Sequence, residues 1–159
     1  MTRTHKLIAA MAFIVAALIV YKVILASLLT DEERIRREIN IIVDSAEERN
    51  LHKISGYLHA DFTAEEVNFD RQATIDALRQ VFLMYNVIRV RVSSLSVKLI
   101  DGTTAEATFV AAVRAAHNAD SSEDDLLRYR GSERFKVTFK KVKNDWLIIR
   151  SAVVKSTAD

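Results

Sequence analysis

Six side chains in this sequence stand out as candidates for acid–base or metal chemistry: His52, Tyr57, His59, Asp61, Tyr85 and His117. Tyr57 and Asp61 are four apart, so a continuing helix would put a phenol and a carboxylate on one face. Desolvated in a pocket, such a group suits proton transfer, because burial raises a carboxyl's pKa toward neutrality. Asp61, Tyr57 and Tyr85 are therefore the candidate catalytic residues. The competing reading makes Asp61 a loop cap and each tyrosine a core ring with its hydroxyl at a rim. His52 and His59 lack carboxylates at a metal-binding spacing, and His117 reads as a surface residue at a strand end. The chain has no cysteine, which excludes thiolate zinc sites, disulfides and a Cys nucleophile. No glycine-rich phosphate loop is present and no serine stands in a nucleophile elbow, so no metal and no cofactor is expected.

Positioning such groups needs a core and elements to build it. Of the 159 residues 50% are apolar, enough for one domain with a buried interior. A net charge of +2 with no arginine patch interleaved with aromatics gives no reason to expect nucleic acid. Charge is unevenly spread: residues 31–70 carry eleven acids and five bases, whereas residues 71–159 carry ten acids and fifteen bases. Three glycines and no proline leave few sharp turns, so long helices and strands are expected.

The chain divides into a leader (1–6), an apolar run (7–29) and a domain (30–159). "LIAAMAFIVAALIVYKVILASLL" is about 34 Å long as a helix at about 1.5 Å per residue, enough to span a bilayer with some tilt. Lys22 is its one charge and can snorkel toward the headgroups. A cleaved signal fits less well, since cleavage after Ala26 places Ile24 at the −3 position. The reading is a retained single-pass anchor in a bacterial inner membrane, with the domain in the periplasm.

In the domain, Thr30 and Glu33 fit a capping box, and Ile35, Ile39, Ile42 and Ala46 form one helical stripe. A second short helix begins at Asn50, with Leu51, Ile54 and Leu58 inward. "HADFTAEEVN" reads as a loop, and Asp70 caps a third helix carrying Ile75, Leu78, Phe82 and Tyr85 on one face. The period then changes to two. Ile88, Val90 and Val92 share a face, but Leu95, Val97 and Leu99 take the opposite parity, so Ser93-Ser94 marks a bulge. Asp101-Gly102 turns into a strand with Ala105, Ala107, Phe109, Ala111 and Val113 on one face. Phe135, Val137 and Phe139 alternate in the next strand. Asn144-Asp145 then turns the chain into "WLIIRSAVV", apolar on both faces and so expected to lie centrally, with Trp146 as its anchor. The fold class is α+β: three helices packed on a strongly curved, mostly antiparallel sheet of four long strands.

"ISGYLHADFT", "LSVKLIDGTTAEATFVAAV" and "RFKVTFKKVKNDWLIIRSAVV", in that order, resemble segments of the nuclear transport factor 2-like (SnoaL-like, cystatin-like) superfamily, over about residues 31–155. The resemblance implies a cone-shaped pocket between a curved sheet and its helices, and an acid near the position of Asp61. It does not imply one function, because the superfamily includes enzymes, receptors, dimerising scaffolds and secretion components. The isomerases' Asp-Pro step is missing, as the chain has no proline, which argues against proton-transfer catalysis. The expected function is a membrane-anchored binding or assembly module. The alternatives are an isomerase- or dehydratase-like enzyme on a small apolar substrate, or a scaffold subunit of an envelope secretion machine. Besides the bilayer, the expected partner is another protein or a second copy docked on the sheet. Lys140, Lys141, Lys143 and Arg150 are its candidate contacts.

Overall fold

The computed structural model describes residues 29–117 and 129–154. The apolar run expected to anchor the chain lies, up to residue 28, outside the described residues. Among the described residues no helix is long and apolar enough to cross a membrane.

Helix α1 (Asp31–Glu47) starts at the expected capping box: the Thr30 hydroxyl accepts from the Glu33 N–H, and the Glu33 carboxylate accepts from the Thr30 N–H at 2.8 Å. Asp31, Glu32 and Glu33 place negative charge on the positive end of the helix dipole. Helix α2 (Leu51–Gly56) is capped by Asn50, which accepts from the Lys53 N–H at 3.0 Å. Helix α3 (Arg71–Met84) is capped by Asp70, which accepts from the Ala73 N–H at 2.8 Å.

Six strands form one sheet: β1 (Leu58–Ala64), β2 (Phe69–Asp70), β3 (Val87–Leu99), β4 (Thr104–Ala116), β5 (Tyr129–Val142) and β6 (Asp145–Val153). Their order is β2-β1-β6-β5-β4-β3, with every pair antiparallel except β1 and β6. Strand β6 is central, as its two apolar faces require.

Two local expectations are corrected. The segment read as a loop is strand β1, whose even positions Leu58, Phe62 and Ala64 turn inward and whose edge pairs in parallel with β6. Leu58 thus opens a strand rather than completing the buried side of α2. The β5–β6 turn is made by Lys143 and Asn144, with Lys143 in the left-handed region at φ 57°, and Asp145 already belongs to β6. The bulge at Ser93-Ser94 is present: the β3–β4 register shifts between Ser93 and Ser96, and Ser94 takes φ 54°. That one added residue keeps Val90 and Val92 on the same face as Leu95 and Val97.

The helices cover one face of this sheet. Ile35 and Ile39 of α1 pack on Val97, Ala105, Ala107, Val137, Phe139 and Trp146. Helix α1 is fastened to edge strand β3 by Arg36, which donates to the Leu95 carbonyl at 3.0 Å. Glu47 adds a second tie, accepting from the Val90 N–H at 2.8 Å. Under the third helix, Ile75 packs on Leu58 and Phe62.

Candidate functional site

The curvature of the sheet over α1 leaves a cavity of about 390 Å³ along the C-terminal half of that helix. Its walls come from every layer. Ile39, Ile42, Val43 and Ala46 project from α1, Ile54 from α2, Leu78 from α3, and Leu58 and Phe62 from β1. The sheet supplies Val90, Val92, Ala111 and Val113, with Phe109, Phe135, Val137, Phe139, Ile148 and Ser151. Seventeen of these eighteen residues are hydrocarbon, and Ser151 alone carries a hydroxyl. Phe109 and Phe135 are cross-strand partners with ring centroids 5.9 Å apart, stacked on the wall. A space of this size lined this way falls in the range of small-molecule sites, typically about 300–1,000 Å³. Its lining is almost wholly hydrocarbon and, among the described residues, carries no titratable side chain.

The candidate catalytic residues lie elsewhere. Helix α2 ends at Gly56, so Tyr57 is its C-cap while Asp61 sits on strand β1, and the two do not share a helix face. The Asp61 side chain is 81% exposed, 3.6 Å from the His59 ring. Tyr85 caps the end of α3 and stacks on His117 at 4.9 Å between centroids. The His117 ring lies 2.7 Å from the Met84 carbonyl. Tyr85 and His117 thus tie the end of α3 to the end of β4, and neither lines the cavity.

The four cations proposed as contacts are also separated. Lys141 is partly buried and donates to both carboxylate oxygens of Asp31 at 2.9 Å, with its Nζ 5.4 Å from the Trp146 ring centre. The Trp146 indole N–H donates to the same carboxylate at 3.2 Å. The Lys141 bond is the main reason that the Asp31 carboxyl is held below its usual range. Lys140 and Lys143 are exposed, and Arg150 pairs with Glu65 at 3.2 Å. Only Lys140 and Arg150 share the sheet's outer face, where Arg91, Lys98 and Arg134 also point outward by register and Glu106 is paired with Lys136 at 2.7 Å.

The sequence reading overlooked Glu38. Its Oε2 is buried without a hydrogen-bond partner. Desolvation, with the nearby Asp145 carboxylate adding to it, pushes Glu38 up to about 7. Burial and Glu38 in turn raise Tyr57. The available signal was a carboxylate one position before Ile39 of the apolar stripe. Glu38 is not among the residues that line the cavity.

No protein-family model and no curated protein matches the sequence. Solved structures do match in shape. A nuclear transport factor 2-like protein of unknown function from Pseudomonas putida superposes with a TM-score of 0.63 at 17% identity, covering 77% of this chain and 84% of that one. The fold is nuclear transport factor 2-like. A candidate dehydratase of that family from Streptomyces avermitilis matches at 0.62 and 11% identity, over 79% of this chain and 98% of that one. Bd1075 of Bdellovibrio bacteriovorus matches at 0.63 and 12% identity over 76% of this chain, which spans 40% of that protein's length. At these identities the likeness establishes the nuclear transport factor 2-like fold and no single function.

Proposed function

We propose that this protein is a membrane-tethered, non-catalytic binding module that holds an uncharged apolar small molecule inside its cone. The observation that carries the reading is the cavity of about 390 Å³ whose lining, among the described residues, contains one hydroxyl and no titratable side chain. A dehydratase or isomerase needs a proton-transfer group at the reacting carbon. Asp61, Tyr57, Tyr85 and Glu38 all stand outside the lining. The proposed tether is the apolar run 7–29, which leads into α1 beside Lys141 and Trp146. The cavity lies along the other half of α1, and such a tether would concentrate the domain at a membrane. For the proposed partner surface, the cations of the outer sheet face favour an acidic protein over a second copy, because two like-charged faces repel. Crosslinking that yields only homodimers joined through β3–β6 would refute that preference.

The test of binding is saturable uptake of 2-methylnaphthalene by the full chain in amphipol, followed by fluorescence. Ala111→Trp should fill the space and weaken uptake at least tenfold while the circular dichroism spectrum stays unchanged. Absence of saturable uptake, or equal uptake by the filled variant, would overturn the binding reading.

A further inference from the structure

We propose that Ser151 is the specificity-determining residue of the cavity, and that the ligand is an apolar molecule carrying one uncharged hydroxyl or carbonyl group. This rests on the binding reading above and narrows it.

Ser151 occupies an inward position of the central strand β6, paired with Ala64 of β1 on one side and Val137 of β5 on the other. Its carbonyl accepts from the Glu65 N–H at 2.9 Å, so its backbone is held by both neighbours and the side chain is presented from a rigid element. The cross-strand neighbours Ala64 and Val137 offer its hydroxyl no polar side-chain atom, and no other side chain of the cavity wall can hydrogen-bond it. A hydroxyl on a hydrocarbon wall is unfavourable unless something satisfies it. A ligand oxygen placed against β6 would do so, and would fix which end of the ligand faces that strand. Among the described residues no charged side chain lines the cavity, which disfavours an ionised group on the ligand, since its desolvation would go uncompensated there.

The experiment compares 2-naphthol with 2-methylnaphthalene, two probes of nearly the same shape that differ in one hydroxyl. The full-length protein in amphipol is titrated with each, as wild type, Ser151→Ala, Ser151→Thr and Ala111→Trp. The naphthol-to-methylnaphthalene affinity ratio should fall roughly three- to tenfold in Ser151→Ala, the worth of one neutral hydrogen bond, and be kept in Ser151→Thr. A change of cavity shape or apolarity acts on both probes, so the ratio isolates the hydroxyl contact. If both probes bind, Ala111→Trp blocks them and the ratio is the same in Ser151→Ala, the Ser151 assignment is overturned while the binding reading stands. If neither probe binds the wild type, both are overturned.

Discussion

At one end of the domain Ile35, Phe139 and Trp146 meet over Ala105 and Ala107 and leave no space: all five side chains are 0% exposed. Four residues beyond Ala107 on the same strand, Ala111 faces the cavity. Both alanines point inward from β4, and both have apolar neighbours. The difference lies in what stands opposite. Trp146 reaches across the closed end, and Asp31 fixes it there through the indole N–H. Further along α1 the facing residues are Val43 and Ala46, too short to reach the diverging sheet. An inward alanine is thus a packing surface where a large ring covers it and a pocket wall where none does.

Three perturbations probe this contrast. Trp146→Ala should act most strongly, removing the largest buried side chain at the closed end and leaving the Asp31–Lys141 pair without its cover. The expected loss is about 3–5 kcal/mol in urea unfolding. A loss below about 1 kcal/mol would mean that the closed end is not the stabilising core. Placing the same residue at each of the two alanines is the sharper comparison. Ala107→Trp should destabilise by about 3 kcal/mol through overpacking, whereas Ala111→Trp should stay within about 1 kcal/mol of the parent. Equal destabilisation at both sites would show that the cavity closes in solution.

A further perturbation concerns Glu38. Its carboxyl is raised from 4.5 to about 7 in the folded protein. Between those values the folded form binds more protons than the unfolded form, so stability is full below about pH 4.5 and falls as pH rises toward 7. Because the group is only half buried, the loss is discounted to about 1–2 kcal/mol. Glu38→Gln should flatten the urea midpoint between pH 4.5 and pH 8. A slope that survives the substitution would assign the effect to another group.

Local features were legible in the sequence. Thr30, Asn50 and Asp70 cap their helices through hydrogen bonds that span three residues, so residue type and spacing suffice to find them. The parity slip at Ser93-Ser94 marked its bulge for the same reason. Strand β1 was misread although Leu58, Ala60, Phe62 and Ala64 alternate with His59, Asp61 and Thr63. Its partner β6 lies some ninety residues away, and the pairing is interrupted between Leu58 and Thr63, so no local turn signal announced it. The tyrosines and Asp61 looked chemical by type, but the end of α2 at Gly56 separates Tyr57 from Asp61. Glu38 drew no notice in the sequence, and only the packing of α1 revealed its burial.

The sequence by itself determined where helices start, where the period changes from helix to strand, which positions turn inward and that Trp146 anchors the last strand. Each depends on hydrogen bonds or side-chain parity within a few residues along the chain. The tertiary structure alone decided that the interior is filled at Trp146 and hollow at Ala111, that among the described residues Ser151 carries the one hydroxyl of that lining, and that the candidate acids stand outside it. The physical reason is that a void is the distance between layers minus the reach of the side chains on each. That distance is set by how a curved sheet rests on helix α1, through contacts between residues far apart in the sequence.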